Sequence, residues 1–422
     1  MESPFEIADL TPRERDSRCV ICKGARMLCG KSSCPILVKY YYQLKTKPLI
    51  DALRLEGSSP PSVFVGRIGY PKVYVGPLIP PVSGDTSLLD TPESWINNSI
   101  EDIVSFRSQL VRGKYRVDAF DVEGGRRIVD MTRELALCTS SVDSEAEFLK
   151  RPSGRLMLDD EVQPFGPSAP LRKLDVTSLK IDRKIERAYD DTDLKAVDAV
   201  VDLYDGGVLV SKIQRAFSVG AFGIGKNRRF VPTRWSITAV DDTLGKDLRE
   251  RVKEFPLINE FRVYESWRLD NRFMVLMIPS SWCYELIEAW YPNTVWNPTG
   301  RRILLFSDHE GYGGRSKYAG IGGCYYAARL AISEHLEEER RQAAAVILRE
   351  VHSGYIMPVG VWNVRENVRN AVRGEPRKFD TLKGALNYIS AKLEIPLERW
   401  ILNSKLLKDF LYQRKLEDFL KG

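Results

Sequence analysis

The chain reads as a mixed α+β protein, and three observations predict it. Strand-like and helix-like segments interleave without the regular spacing of βαβ units, no internal repeat is evident, and the composition is that of a globular protein with 43% hydrophobic, 10% aromatic and 28% charged residues. Disorder throughout is excluded. At 422 residues the chain exceeds what one hydrophobic core usually serves, so several packed units are expected. They are a small four-cysteine module over residues 1–45, an α+β region over 46–174, a second α+β region over 175–405 and a helical tail over 406–422.

Along the chain, Tyr40 to Leu55 reads as a helix ending at Gly57, and Ser58-Ser59-Pro60-Pro61 as a loop. Ser62 to Val75 is rich in Val, Phe, Ile and Tyr and predicts sheet, while Gly76 to Gly84, with three prolines and two glycines, predicts an irregular loop. Helix is expected over 92–112, a strand over Lys114 to Val122, and helix over 127–149 with Met131, Leu135 and Cys138 on one side. The prolines between Arg151 and Leu174 mark that stretch as a loop-like seam. Beyond it a charged helix is expected over 182–204, two strands around Leu269-Asp270-Asn271, and a short helix over 282–290. A strand over Arg302 to Phe306, a long helix over 325–350, and helix from Phe379 to Phe410 broken at Pro396 complete the reading.

Lys and Arg total 63 against 57 Asp and Glu, a formal charge of +6, which permits an anionic partner without demanding one. No apolar run approaches the roughly 20 residues of a membrane span, and Glu2, Glu6 and Asp9 give the start neither the basic nor the apolar character of a signal peptide. A cytoplasmic location without membrane contact is expected.

Of seven cysteines, Cys19, Cys22, Cys29 and Cys34 cluster, while Cys138, Cys283 and Cys324 are scattered. The spacing Cys-x2-Cys-x6-Cys-x4-Cys suits a tetrahedral thiolate shell, with zinc its natural occupant. An iron–sulfur cluster and a disulfide pair are the alternatives. A closed four-thiolate shell leaves no open position for substrate, so its role is structural. Arg13, Arg15, Arg18, Lys23, Arg26, Lys31 and Lys39 surround it and Tyr40, Tyr41 and Tyr42 follow, a mixture suited to phosphates and bases or to simple solvation.

Two segments combine glycines, arginines and aromatics. One carries Arg228, Arg229, Arg234 and Trp235; the other runs from Asp308 through His309, Glu310, Gly313 and Gly314 to Arg315. Forked cations beside glycine backbone suit a nucleotide or DNA-phosphate site, and an enzyme acting on nucleotides or nucleic acid would use both segments as its pocket. No activated nucleophile or acid–base pair is legible. Gly220 to Lys226 nearly fits the phosphate-cradling loop, but Asn227 lacks the hydroxyl that would hold magnesium, leaving a glycine-rich turn as the plain reading.

In the tail, Leu407, Phe410 and Leu411 form one helical stripe, whereas Leu416, Phe419 and Leu420 form a second, roughly 140° away at about 100° per residue. Such an i, i+3, i+4 anchor is the form of a short helical plug for a groove on another protein. Gln413, Leu416, Phe419 and Leu420 resemble the clamp-binding box of proteins that dock on the sliding clamp PCNA, with Leu420 where an aromatic residue is usual. Together with the cysteine cluster, Pro-Thr-Arg234-Trp235-Ser and Asp308-His-Glu-Gly-Tyr-Gly-Gly, the box makes the whole chain resemble the archaeal Nre family. The resemblance implies a DNA-damage-response protein that contacts PCNA and is linked to excision repair, and with the basic segments it makes DNA and excision-repair proteins the expected partners. It brings no catalytic residues with it.

Overall fold

The computed structural model describes residues 22, 26–31, 33–38, 41–42, 52–122, 125–153, 165–298 and 300–412. The chain divides into two compact units. An N-proximal unit comprises Pro35–Leu244 with Pro358–Gly360, and a C-proximal unit comprises Met1–Cys34, Gly245–Met357 and Val361–Gly422. The division falls inside one helix, well beyond the proline-rich stretch that composition marks as a seam.

In the N-proximal unit, β1 (Arg54–Ser59), β2 (Val63–Val65), β3 (Lys72–Ile79), β4 (Val111–Asp118), β5 (Val142–Phe148) and β6 (Ser168–Val176) form one sheet in the order β1-β5-β6-β4-β3-β2. Only β4 and β6 run parallel. Helix α1 (Ile100–Gln109) opens with a capping box, in which Ser99 Oγ accepts from the Asp102 amide and Asp102 accepts from the Ser99 amide. Helix α2 (Arg127–Leu137) lays Ile128 and Met131 against Leu55, Ile79, Val111, Ala146 and Leu171 of the sheet. Four more helices follow: α3 (Arg183–Asp190), α4 (Ala196–Asp205), α5 (Val210–Ser218) and α6 (Thr233–Val252).

The second sheet collects β7 (Phe261–Arg268), β8 (Asn271–Ile278), β9 (Cys283–Trp290), β10 (Leu304–Glu310), β11 (Ala344–Val351) and β12 (Arg377–Phe379) in the order β10-β9-β11-β8-β7-β12, with β9 and β11 parallel. Its strands feed two cores by alternation. Phe273, Val275, Met277, Tyr284, Leu286, Ala345 and Ile347 face α7 (Gly323–Glu338) and α8 (Trp362–Val372). The intervening Met274, Leu276, Ile278, Ile287, Ala289, Ala344, Val346 and Leu348 face α9 (Leu382–Lys392), α10 (Leu397–Asn403) and α11 (Lys405–Tyr412). The C-proximal unit is therefore a three-layer α/β/α sandwich, and the protein as a whole is α+β as its sequence predicts.

Several boundaries differ from the sequence reading. Residues 282–290 form strand β9 and not a helix, and the expected helix over 325–350 stops at Glu338, with Ala344–Val351 forming β11. Both strands are buried on both faces, which erases the polar alternation that reveals half-buried strands. The helix over 127–149 ends at Leu137. Val142, Ser144, Ala146 and Phe148 then point inward along β5, while Asp143 and Glu145 are exposed. Residues 54–59 are strand where a helix ending at Gly57 was expected, and β3 extends through Ile79 into the expected loop. The hairpin at Leu269 and Asp270 is as expected, both residues adopting positive φ of 51° and 54°, the signature of a tight primed turn.

Candidate functional site

The two arginine- and glycine-rich segments fall in different units. In the C-proximal unit, Asp308 on β10 draws the following loop together. Its Oδ1 accepts from Arg315 at 2.5 Å and its Oδ2 from the Gly320 amide at 2.5 Å. Arg315 Nε donates to the Lys317 carbonyl at 2.7 Å, its second terminal nitrogen donates to the Tyr318 carbonyl at 3.3 Å, and the guanidinium lies 4.8 Å over the Tyr325 ring. Burial opposes that charge most, but Asp308 and Tyr325 together outweigh it and raise the Arg315 pKa. The hydrogen-bonding capacity of Arg315 is thus taken up inside the loop. Gly314 holds φ 75°, a conformation that favours glycine, and a Cβ there would sit 1.9 Å from the Arg249 guanidinium and push it aside.

Beneath this loop lies Glu310, which is 2% exposed. Its carboxylate accepts from Trp282 Nε1 at 3.2 Å, Tyr325 Oη at 3.1 Å and Arg329 at 2.9 Å, with Arg249 at 3.5 Å. Burial first, then Glu310, pushes the Tyr325 hydroxyl well above its ordinary pKa, so it remains a donor. A buried charge so fully partnered offers no free group to a substrate, and removing it would leave its cationic partners uncompensated. Nearby, Arg349 donates to Glu288 at 2.5 Å and to Asn271 at 2.9 and 2.7 Å.

In the N-proximal unit, the glycine-rich turn packs differently. Gly220, at φ 72°, lies against the backbone of Arg229, where a Cβ would come within 2.8 Å of the carbonyl oxygen. Gly225–Asn227 is a short 3-10 turn, and the next helix, α6, starts only at Thr233. Arg228 is buried and donates to the carbonyls of Gly223 at 2.8 Å and Asp191 at 2.9 Å, beside the Tyr189 ring. Arg229 and Arg234 are exposed, and Trp235 retains 46% exposure.

Backbone hydrogen bonds bring two further loops to this point. The Ala119 amide donates to the Pro71 carbonyl, the Phe230 amide to the Ala119 carbonyl, both at 2.8 Å, and the Val65 amide to Thr233 Oγ1 at 3.0 Å. As a result Tyr70 stands 5.2 Å from Trp235 and 6.3 Å from Phe120, ring centre to ring centre, and Arg229 lies 5.7 Å over Phe120. Sequence reasoning named Arg229, Arg234 and Trp235 but missed Tyr70 and Phe120. The only local signal was a large ring within a turn, in Gly69-Tyr70-Pro71 and in Ala119-Phe120.

In the cysteine module, Cys22 is buried and Cys29 and Cys34 are half-buried. The Arg26 amide returns to the Cys22 carbonyl at 3.2 Å and the Gly30 amide to that of Met27 at 2.8 Å. Lys31, expected on the cationic surface, is 5% exposed and donates to the Ile356 carbonyl at 2.9 Å. Among the described residues no group of three or more His, Cys, Asp or Glu is placed to hold a metal, and Cys19 lies outside them, as do Gln413, Leu416, Phe419 and Leu420. The scattered thiols are held protonated, chiefly by burial: Cys138 is pushed up to about 11, and Cys283 and Cys324 to about 12. They are poor nucleophiles at neutral pH. Among the described residues no helix is long and apolar enough to cross a membrane.

Family models described as archaeal Nre, N-terminal, and archaeal Nre, C-terminal, match residues 28–297 and 310–419. The chain belongs to the archaeal Nre family. Among its Nre relatives, the DNA repair protein NreB of Archaeoglobus fulgidus is 42% identical over 403 residues, covering 95% of this chain and 100% of the relative. The DNA repair protein NreA of the same organism is 36% identical over 378 residues, 89% of this chain and 94% of its own. NreA of Haloferax volcanii is 36% identical over 368 residues, 84% and 87%. No solved structure matches the chain. The N-terminal match ends at residue 297, after β9, and the C-terminal match begins at Glu310, the last residue of β10, so the family's division does not coincide with that of the compact units.

Proposed function

We propose that this Nre protein is a DNA repair accessory factor recruited through the sliding clamp PCNA. The observation that carries the reading is the near full-length similarity to proteins named for DNA repair, joined to a tail whose Gln413, Leu416, Phe419 and Leu420 have the spacing of a clamp-binding box. Docking by the tail raises the local concentration of the body at DNA, so that weak contacts become effective. The exposed Arg229 and Arg234 are the phosphate contacts we assign to the N-proximal unit, in a cytoplasmic protein that works beside excision-repair proteins.

Zinc is the proposed cofactor, held by Cys19, Cys22, Cys29 and Cys34. An all-thiolate donor set in the spacing Cys-x2-Cys-x6-Cys-x4-Cys suits it. Its contribution is folding energy for the module.

Titration calorimetry of PCNA with the full chain and with a chain lacking Gln413 to Gly422 tests the recruitment. Binding is expected only for the full chain, and equal affinity of the two would overturn the assignment. Metal analysis should return about one zinc per chain, lost on Cys22→Ser. A folded, metal-free protein would remove the cofactor from the proposal.

A further inference from the structure

Two loops and the first turn of α6, distant in sequence, converge on an exposed ring cluster in the N-proximal unit, and its composition identifies what covers it. Phe120 is 55% exposed, Trp235 46% and Ile68 87%. Backbone hydrogen bonds from Ala119 to Pro71 and from Phe230 to Ala119 hold the rings in place before any partner arrives, which lowers the entropic cost of binding.

Cations outnumber carboxylates around the rings. Arg67, Lys72, Arg229 and Arg234 are all exposed, and among the described residues none of them forms a salt bridge. The nearby carboxylates are engaged: Asp118 accepts from the Phe120 amide at 3.1 Å and Asp121 pairs with Arg126 at 3.4 Å. An apolar peptide would find the rings but leave the cations unmatched. A DNA duplex would match the cations but keep its bases stacked on each other, out of reach of the rings. Single-stranded DNA presents both a phosphate chain and free base faces, and aromatic side chains in a cationic setting are how proteins hold it without reading sequence.

We propose that Tyr70, Phe120 and Trp235 form a stacking platform for the unpaired bases of single-stranded DNA, with Arg229 and Arg234 receiving the flanking phosphates. This deepens the repair reading above and rests on its DNA contact. The platform acts at gaps, displaced strands or frayed ends, where a repair factor meets unpaired bases, and it carries no preference for a particular base.

The test is fluorescence anisotropy of the full chain with a labelled oligothymidylate and with a duplex of equal length, across a salt series. The oligothymidylate is expected to bind more tightly than the duplex. Trp235→Ala and Phe120→Ala should each weaken it about tenfold, as the loss of one stacked base does, while Trp235→Phe retains most of the affinity and controls for folding. Replacing both Arg229 and Arg234 by Ala should reduce the slope of log K against log salt by about 1.4, the value for two phosphates of a single strand. Oligothymidylate binding indifferent to Trp235→Ala and Phe120→Ala overturns the platform, as does preference for duplex; in either case the repair reading keeps its DNA contact. Absence of binding to either DNA removes both the platform and the DNA contact, with clamp recruitment then judged by the tail deletion alone.

Discussion

Arg228–Trp235 and Asp308–Arg315 both set arginine beside aromatic rings, and the fold places those arginines differently. In the second, a carboxylate seven residues before the arginine closes on it, so Arg315 ties a loop down over the Glu310 cluster. In the first, no acidic residue lies within the segment. Arg228 is consumed by carbonyls, but Arg229, Arg234 and Trp235 remain at the surface beside two rings delivered from elsewhere. The lesson is that an arginine beside aromatics becomes a staple where a carboxylate or a carbonyl is within reach, and otherwise stays at the surface.

The contrast can be broken most directly at Glu310. Replacing it by Ala takes the carboxylate from the buried Arg329 and Arg249, and a loss of about 3–5 kcal/mol is expected in urea unfolding. A loss below about 1 kcal/mol would mean that the cluster is not what holds this end of the unit. Glu285→Ala comes next. It removes the acceptor of Ser404 Oγ at 2.5 Å and of the Lys405 and Leu406 amides at 2.8 and 3.0 Å, and about 2 kcal/mol is expected, with faster amide exchange across α11.

Asp308→Ala frees Arg315 from a pair that is only partly screened, for about 1–2 kcal/mol, read as new protease cleavage within 311–322. His335 gives a smaller, pH-dependent effect. Burial lowers its pKa from the ordinary 6.5, against the opposing pull of Glu339 and Glu338 and with Arg262 adding to the depression. Tyr264 Oη lies 3.2 Å from its ring nitrogen. Because the folded state disfavours the proton, this contribution is whole above pH 6.5 and is lost as pH falls below it. Melting temperatures between pH 7 and 5 should therefore fall less for His335→Gln than for the native chain. Smallest of all, Trp235→Ala should change stability by no more than about 0.5 kcal/mol. A larger loss would make this ring a structural one and blur the comparison.

The α+β class, the hairpin at Leu269-Asp270 and the C-terminal helices were readable from residue pattern, because turn chemistry and a single apolar stripe act locally. Strands β9 and β11 were not. Glu285, Glu288, Arg349 and Glu350 are buried charges whose partners come from β8, β9 and the 394–406 region, and a charge inside a strand reads as the polar face of a helix until those partners are known. The candidate site divides in the same way. Arg229, Arg234 and Trp235 adjoin in sequence and were found together, whereas Tyr70 and Phe120 reach Trp235 only through the folding of two other loops.

Helix α11 begins under the carboxylate of Glu285, in the middle of β9, and ends at Tyr412, with Gln413 next in sequence. A pull on this last helix therefore reaches the second sheet through Glu285 and the buried Leu406 and Leu407.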